Sequence, residues 1–157
     1  MIGSTSQRGG EVMSDSSSLR PGLTHIQTIT VDERLLVPAM AGFYASFGTM
    51  PQVFATACMV GFIEWACIEL INPYLSVEED SVGTHVDVSH VAATPSGMTV
   101  RAEVEPVEVS GRKLRFRVRC FDDAELIREG FPERAIIHRE KFAGKIARKR
   151  DRHQASA

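Results

Sequence analysis

The stretch Phe54 to Leu75, FATACMVGFIEWACIELINPYL, decides the fold. From Phe54 to Ile71 only Thr56, Gly61, Glu64 and Glu69 interrupt the apolar residues. A surface helix would show a polar face about every 3.6 residues, and this run shows none. It is too long for a strand and carries Ala, Met and Glu in place of alternation. A membrane span wants about 20 apolar residues, and Glu64 would stand near its middle. The run therefore predicts one helix buried nearly all round and stopped at Asn72-Pro73.

Such a helix needs a sheet to wrap it, and the downstream sequence supplies one. After a polar, acidic loop at Ser76 to Ser81 come four strand-like runs. Val82 to Ala92 ends at Thr94-Pro95-Ser96-Gly97. Met98 to Val109 carries a bulge or edge signal at Pro106 and turns at Ser110-Gly111. In Lys113 to Phe121, Leu114, Phe116, Val118 and Cys120 point inward and Arg115, Arg117 and Arg119 outward. Glu125 to Arg139 is interrupted at Gly130 to Pro132. The short links between runs argue antiparallel hairpins. Upstream, Gly22 to Val31 is an imperfectly alternating strand with Leu23, Ile26, Ile29 and Val31 as its apolar set. Leu35 to Met50, broken by Pro38, Gly42 and Gly48, predicts a short helix and a flap. Its aromatics Phe43, Tyr44 and Phe47 either cover a pocket or plug the core. The basic tail from Phe142 predicts a short frayed helix. The expected class is α+β, a curved antiparallel sheet around one long buried helix, which is the hotdog arrangement.

Length and composition agree. The 157 residues suit one domain. Residues 1–21, rich in Ser and Gly, read as a disordered extension, 22–150 as the domain and 151–157 as a disordered tail. A net charge of −2 gives no basic field for nucleic acid. Cys58 and Cys67 are nine helical positions apart, about two and a half turns, and so face opposite ways. No disulfide framework follows, and free thiols fit a reducing cytoplasm. No His, Cys or Asp cluster has metal-ligand spacing, so neither a metal nor a cofactor is expected.

Three residues stand out by position. A carboxylate at Glu64 among apolar neighbours is costly unless partnered, so it is either bonded to a backbone group or arginine, or functional. Strand alternation puts Val82, Thr84, Val86, Val88 and His90 on one face, so His90 points toward the helix and His85, beside Asp87, toward water. A lone inward histidine can be a satisfied core residue. Glu64 on the helix beneath makes an acid–base role a real alternative. Thr56 at the helix start is either a plain N-cap or the hydroxyl of the same site.

PQVFATACMVGFIEWACIELINPYL, SVGTHVDVSHVAATPSGMTV and PERAIIHREKF closely resemble the fluoroacetyl-CoA thioesterase group of hotdog proteins, over roughly Gly22 to Lys149. The resemblance implies a homodimeric acyl-CoA thioesterase that needs no metal. It implies Thr56, Glu64 and His90 as the catalytic set and Gly83 near the thioester. Read alone, Gly83 is equally a bulge residue. Arg134 is implied near the coenzyme, whose phosphates the basic tail could also meet. Met50 stands where the family has an aromatic flap residue, while Phe47 retains a second. That departure predicts short acyl-CoA substrates with weak preference for fluoroacetyl over acetyl. Two alternatives come from other classes. One is a non-catalytic acyl-CoA-binding module, which needs the pocket but not the acid–base set. The other is a hydratase using Asp87 and His90, which strand alternation puts on opposite faces.

Overall fold

The computed structural model describes residues 18–87 and 89–157. Six strands and two long helices form it: β1 (His25–Thr30), α1 (Thr56–Ile71), β2 (Glu79–His85), β3 (Thr99–Ser110), β4 (Lys113–Phe121), β5 (Leu126–Gly130), β6 (Glu133–His138) and α2 (Arg139–Ala155). The antiparallel sheet runs β1-β3-β4-β6-β2, with β5 also on β4. Strand β4 is the hub. One edge pairs with β3, and the other pairs first with β6 through Lys113 to Arg115 and then with β5 through Val118 to Phe121. The break at Gly130 to Pro132 is where the chain passes from one partner strand to the next.

The sheet curls over α1. Met59, Phe62, Ile63, Ala66, Cys67, Leu70 and Ile71 of the helix bury against Val100, Ala102, Val104, Leu114, Phe116, Val118 and Cys120. The inward set expected for β4 is the buried one, and Arg115, Arg117 and Arg119 are exposed. The bulge lies between Pro106 and Glu108, as Pro106 foretold, because proline cannot donate to the ladder. Gly111, at φ +59°, makes the tight turn into β4.

Several expectations change. The helix is not buried all round: Ala57, Gly61, Trp65 and Glu69, spaced four apart, form an exposed stripe, because one curled sheet covers only one side. The strand expected over Val82 to Ala92 begins at Glu79 and ends at His85, since β6 offers pairing partners only from Glu133 to His138. Val86 is 54% exposed, and Val88 lies outside the described residues. Ile26 is 58% exposed: in β1 the alternation buries its odd-numbered neighbours more deeply. Leu35 to Met50 falls mostly into successive 3-10 turns, and Phe43, 85% exposed, does not plug the core. Most of the expected N-terminal extension lies outside the described residues, but Leu19 within it joins the core. The C-terminal helix starts at Arg139, earlier than Phe142, and continues through Ala155 into the stretch expected as tail. Ala, Lys and Arg favour it intrinsically, and Glu140 in its first turn and Arg152 in its last suit the helix dipole. Among the described residues no helix is long and apolar enough to cross a membrane.

Phe116 is fully buried where α1 meets the sheet hub. Phe116→Ala should lower unfolding free energy by about 3–5 kcal/mol, whereas Arg117→Ala on the outer face should stay within about 0.5 kcal/mol. Urea denaturation of both variants checks the contrast.

Candidate active site

Four of the expected residues fall into two linked groups along α1. Thr56 is the first residue of the helix and not its N-cap: that position is Ala55, and no side chain caps the end. The hydroxyl instead lies 2.8 Å from Nδ1 of His90. Two turns along, Glu64 Oε1 accepts a hydrogen bond from Nη1 of Arg134 at 3.1 Å. Thr56, Val60 and Glu64 recur every four residues and so form one strip of the helix, about 12 Å long.

Glu64 is less buried than its apolar neighbours imply, with 43% of its side chain exposed, and it is paired. What fixes it is the strand across from it. A β-carbon at Gly83 would stand 2.3 Å from Glu64 Oε1, so only glycine lets the carboxylate lie against β2. Gly83 is also register partner to Arg134, and the β2–β6 pairing slips between Gly83 and His85. The bulge reading of this glycine holds, and the close approach of Glu64 is a second reason for it. Arg134 is 4% exposed. Its other donors go to the Ser81 hydroxyl at 3.0 Å and the Ser81 carbonyl at 2.8 Å. Its guanidinium thus joins the Glu64 carboxylate of the helix to Ser81 of β2.

His90 reaches its place by a route strand alternation did not foresee. Beyond His85 the chain leaves the β6 ladder and follows β5 through side-chain and single backbone bonds. Arg128 Nη2 donates to the Asp87 carbonyl at 2.9 Å, and the Phe131 N–H to the Asp87 carboxylate at 3.0 Å. The Ser89 hydroxyl donates to the Glu129 carbonyl at 2.7 Å, and the Val91 N–H to the Ile127 carbonyl at 2.9 Å. Gly130 permits this closeness, since a β-carbon there would meet the Asp87 carbonyl oxygen at 2.3 Å. Phe54 then donates its N–H to the Thr94 carbonyl at 2.8 Å, tying the segment's far end to the start of α1. Burial holds the His90 imidazole below its usual 6.5, and the positive charge of Arg128 adds to this while the Ala92 backbone opposes it. Its Nε2 is buried with no partner among the described residues. A neutral imidazole with one nitrogen set by a hydroxyl and the other free suits proton transfer.

A cavity of about 10 Å³ lies beside Glu64, walled by Val60, Ile63, Cys67, Arg128 and Arg134 among others. Phe47 and Met50 are not in its wall. Met50 is 50% exposed, and Phe47 stacks on Tyr44 with ring centroids 5.1 Å apart. Burial pushes the thiols of Cys67 and Cys120 up to about 12, so neither is a thiolate at neutral pH. Among the described residues no three His, Cys, Asp or Glu side chains converge as a metal site. Arg128, in the wall of the cavity, is the residue the sequence reading missed. Two buried positions in succession on β5 have no signature in alternation.

The sequence profile of a family described as fluoroacetyl-CoA-specific thioesterase matches residues 38–140. The chain belongs to that family. It is a thioesterase of the hotdog fold. The fluoroacetyl-CoA thioesterase of Streptantibioticus cattleyicolor is 48% identical over 103 residues, which are 66% of this chain and 74% of that protein. The solved structure of the fluoroacetyl-CoA thioesterase FlK superposes with a TM-score of 0.81 at 40% identity, covering 84% of this chain and 98% of that one. A variant of FlK in complex with fluoroacetate and CoA gives 0.77 at 41%, covering 79% and 99%. A Thermus thermophilus member of the thioesterase superfamily gives 0.78 at 26%, covering 87% and 96%.

Gly83→Ala separates position from presence at this site. The atom its β-carbon meets is the end of a flexible side chain, so the fold should survive with a small change in melting temperature. The displaced carboxylate should lower thiol release by roughly 10²-fold or more. Full activity in a folded Gly83→Ala protein would show that the Glu64 position is not critical.

Proposed function

We propose that this thioesterase hydrolyses short acyl-CoA thioesters at the strip of α1 between Thr56 and Glu64. The observation that carries the reading is the Glu64 carboxylate, held against Gly83 by Arg134 at the mouth of a small cavity. A thioester lying over Val60 has its carbonyl carbon between this carboxylate and the Thr56–His90 pair. Glu64 delivers the oxygen, as nucleophile or as base to a water. His90, neutral at working pH and oriented by Thr56, accepts the proton released by the hydrolytic water and passes it to the departing thiolate. The Gly83 N–H serves the developing oxyanion. Coenzyme A enters only as part of the substrate, and no metal or other cofactor takes part. A binding-only module has no use for a carboxylate fixed in this way. A hydratase dyad would need Asp87 on His90, and the Asp87 carboxylate is bonded to the Phe131 N–H instead.

The acyl group is small in this reading, because a cavity of about 10 Å³ has no room for a long alkyl chain. Purified protein should release free thiol from acetyl-CoA and fluoroacetyl-CoA with kcat/KM values within about 10-fold of each other, and scarcely from palmitoyl-CoA. Glu64→Gln, which keeps shape and removes charge, should cost roughly 10²–10⁴-fold on the active substrates while leaving the melting curve intact. An active Gln variant removes Glu64 from the chemistry, and robust palmitoyl turnover shows that the pocket opens.

A homodimer completes the proposal. The Ala57, Gly61, Trp65 stripe leaves the helix uncovered, and Phe43, Tyr44 and Met50 are exposed as well. Strand β2 forms an edge of the sheet. Pairing two copies through β2 and this stripe covers both at once. The same reading places the protein in the cytoplasm, where its three free thiols stay reduced. Light scattering at working concentration should give twice the chain mass, and a monomer at that concentration overturns the pairing.

A further inference from the structure

Arg128 of β5 takes no part in the chemistry above, yet it is 1% exposed. Its burial has a structural origin. Arg128 pairs with Cys120 and Leu126 with Phe121, so Ile127 is an extra residue in the ladder. This bulge turns Ile127 and Arg128 inward in succession, where plain alternation would bury only one. The register partner Cys120 is itself buried, so the guanidinium is aimed into the protein and away from the outer face that carries Arg115, Arg117 and Arg119.

There it is only partly satisfied. Nη2 donates to the Asp87 carbonyl, while Nε and Nη1 are buried with no partner among the described residues. Arg134 makes the contrast plain, since its donors are taken by Glu64 and Ser81. Buried charged donors without acceptors are costly, and Nε and Nη1 can each take an acceptor that the described residues do not supply. Arg128 shares the cavity wall with Val60, Ile63, Glu64 and Cys67. That cavity opens beside the carboxylate, and in the reading above it takes the acyl group of a thioester whose carbonyl carbon meets Glu64.

We propose that Arg128 is a specificity-determining residue that receives a hydrogen-bond acceptor on the acyl group, so that the substrates of choice are short acyl thioesters bearing an oxygen substituent, hydroxyl or carboxylate. The assignment rests on the thioesterase reading and deepens it. A plain alkyl group in this cavity leaves the guanidinium dry and unpaired. An oxygen acceptor completes it, and an anionic one does so most strongly. Sites built to hydrogen-bond a substrate group reject analogues lacking it far more sharply than apolar pockets sort methylenes.

Matched pairs test this. Glycolyl-CoA against propionyl-CoA exchanges a hydroxyl for a methyl group, and malonyl-CoA against isovaleryl-CoA exchanges a carboxylate for an isopropyl group. The quantity read is the ratio of kcat/KM within each pair. The oxygenated member should win by on the order of 10-fold or more in at least one pair. A preference in the first pair assigns a neutral acceptor, and in the second an anionic one. Arg128→Met should collapse the ratio toward one, and Arg128→Lys should retain part of it. Ratios near one in the wild-type enzyme for both pairs overturn the proposal, as does a ratio that survives Arg128→Met. Should the variants fail to fold, the wild-type ratios decide alone. Hydrolysis of acetyl-CoA with no discrimination within the pairs defeats only this assignment. No hydrolysis of any thioester defeats the thioesterase reading and this assignment with it.

Discussion

The Arg134–Glu64 ion pair is the interaction on which the site depends. It crosses the interface between helix and sheet, where nearly every other contact is apolar. A guanidinium as buried as that of Arg134 requires an anion and further acceptors, and it finds them in Glu64 and Ser81. In return the carboxylate is drawn onto β2 at the one residue without a side chain, Gly83. A flexible acid on an exposed helix would sample many rotamers. This one is confined by a donor on one strand and bare backbone on the next.

The second constraint is how His90 is delivered. Regular pairing would have carried β2 onward in the plane of the sheet, away from the helix start. Leaving the ladder after His85 frees the chain to follow β5, and side-chain bonds replace the lost backbone partners. The carboxylate of Asp87, the hydroxyl of Ser89 and the guanidinium of Arg128 each contribute one or more of these. Burial lowers the proton affinity of the imidazole, and the same guanidinium, as a neighbouring charge, adds to that. Irregular backbone is thus what brings His90 to Thr56 at the start of the helix. One arginine connects the segment's path, the histidine's protonation and the wall of the acyl cavity.

Much of this was legible in the sequence. The long apolar run with a single mid-helix acid determined that α1 exists and where it ends, because burial of such a surface dominates any local preference. Period-two alternation in Leu114 to Cys120, with proline and glycine at the expected bulge and turn, determined β3, β4 and the hairpin between them. The same pattern carried the fold class, and the quoted motifs carried the family. What tertiary structure alone decided was pairing and its interruptions. That Thr56 serves His90 and not the helix end follows from a partner 34 positions away. That Arg134 faces inward to Glu64, that β2 stops at His85 and that Arg128 is buried depend on ladder registers and one extra residue in β5. Those are long-range geometric facts. A strand's own residues specify which of them can be buried, but the partner strand specifies which of them are.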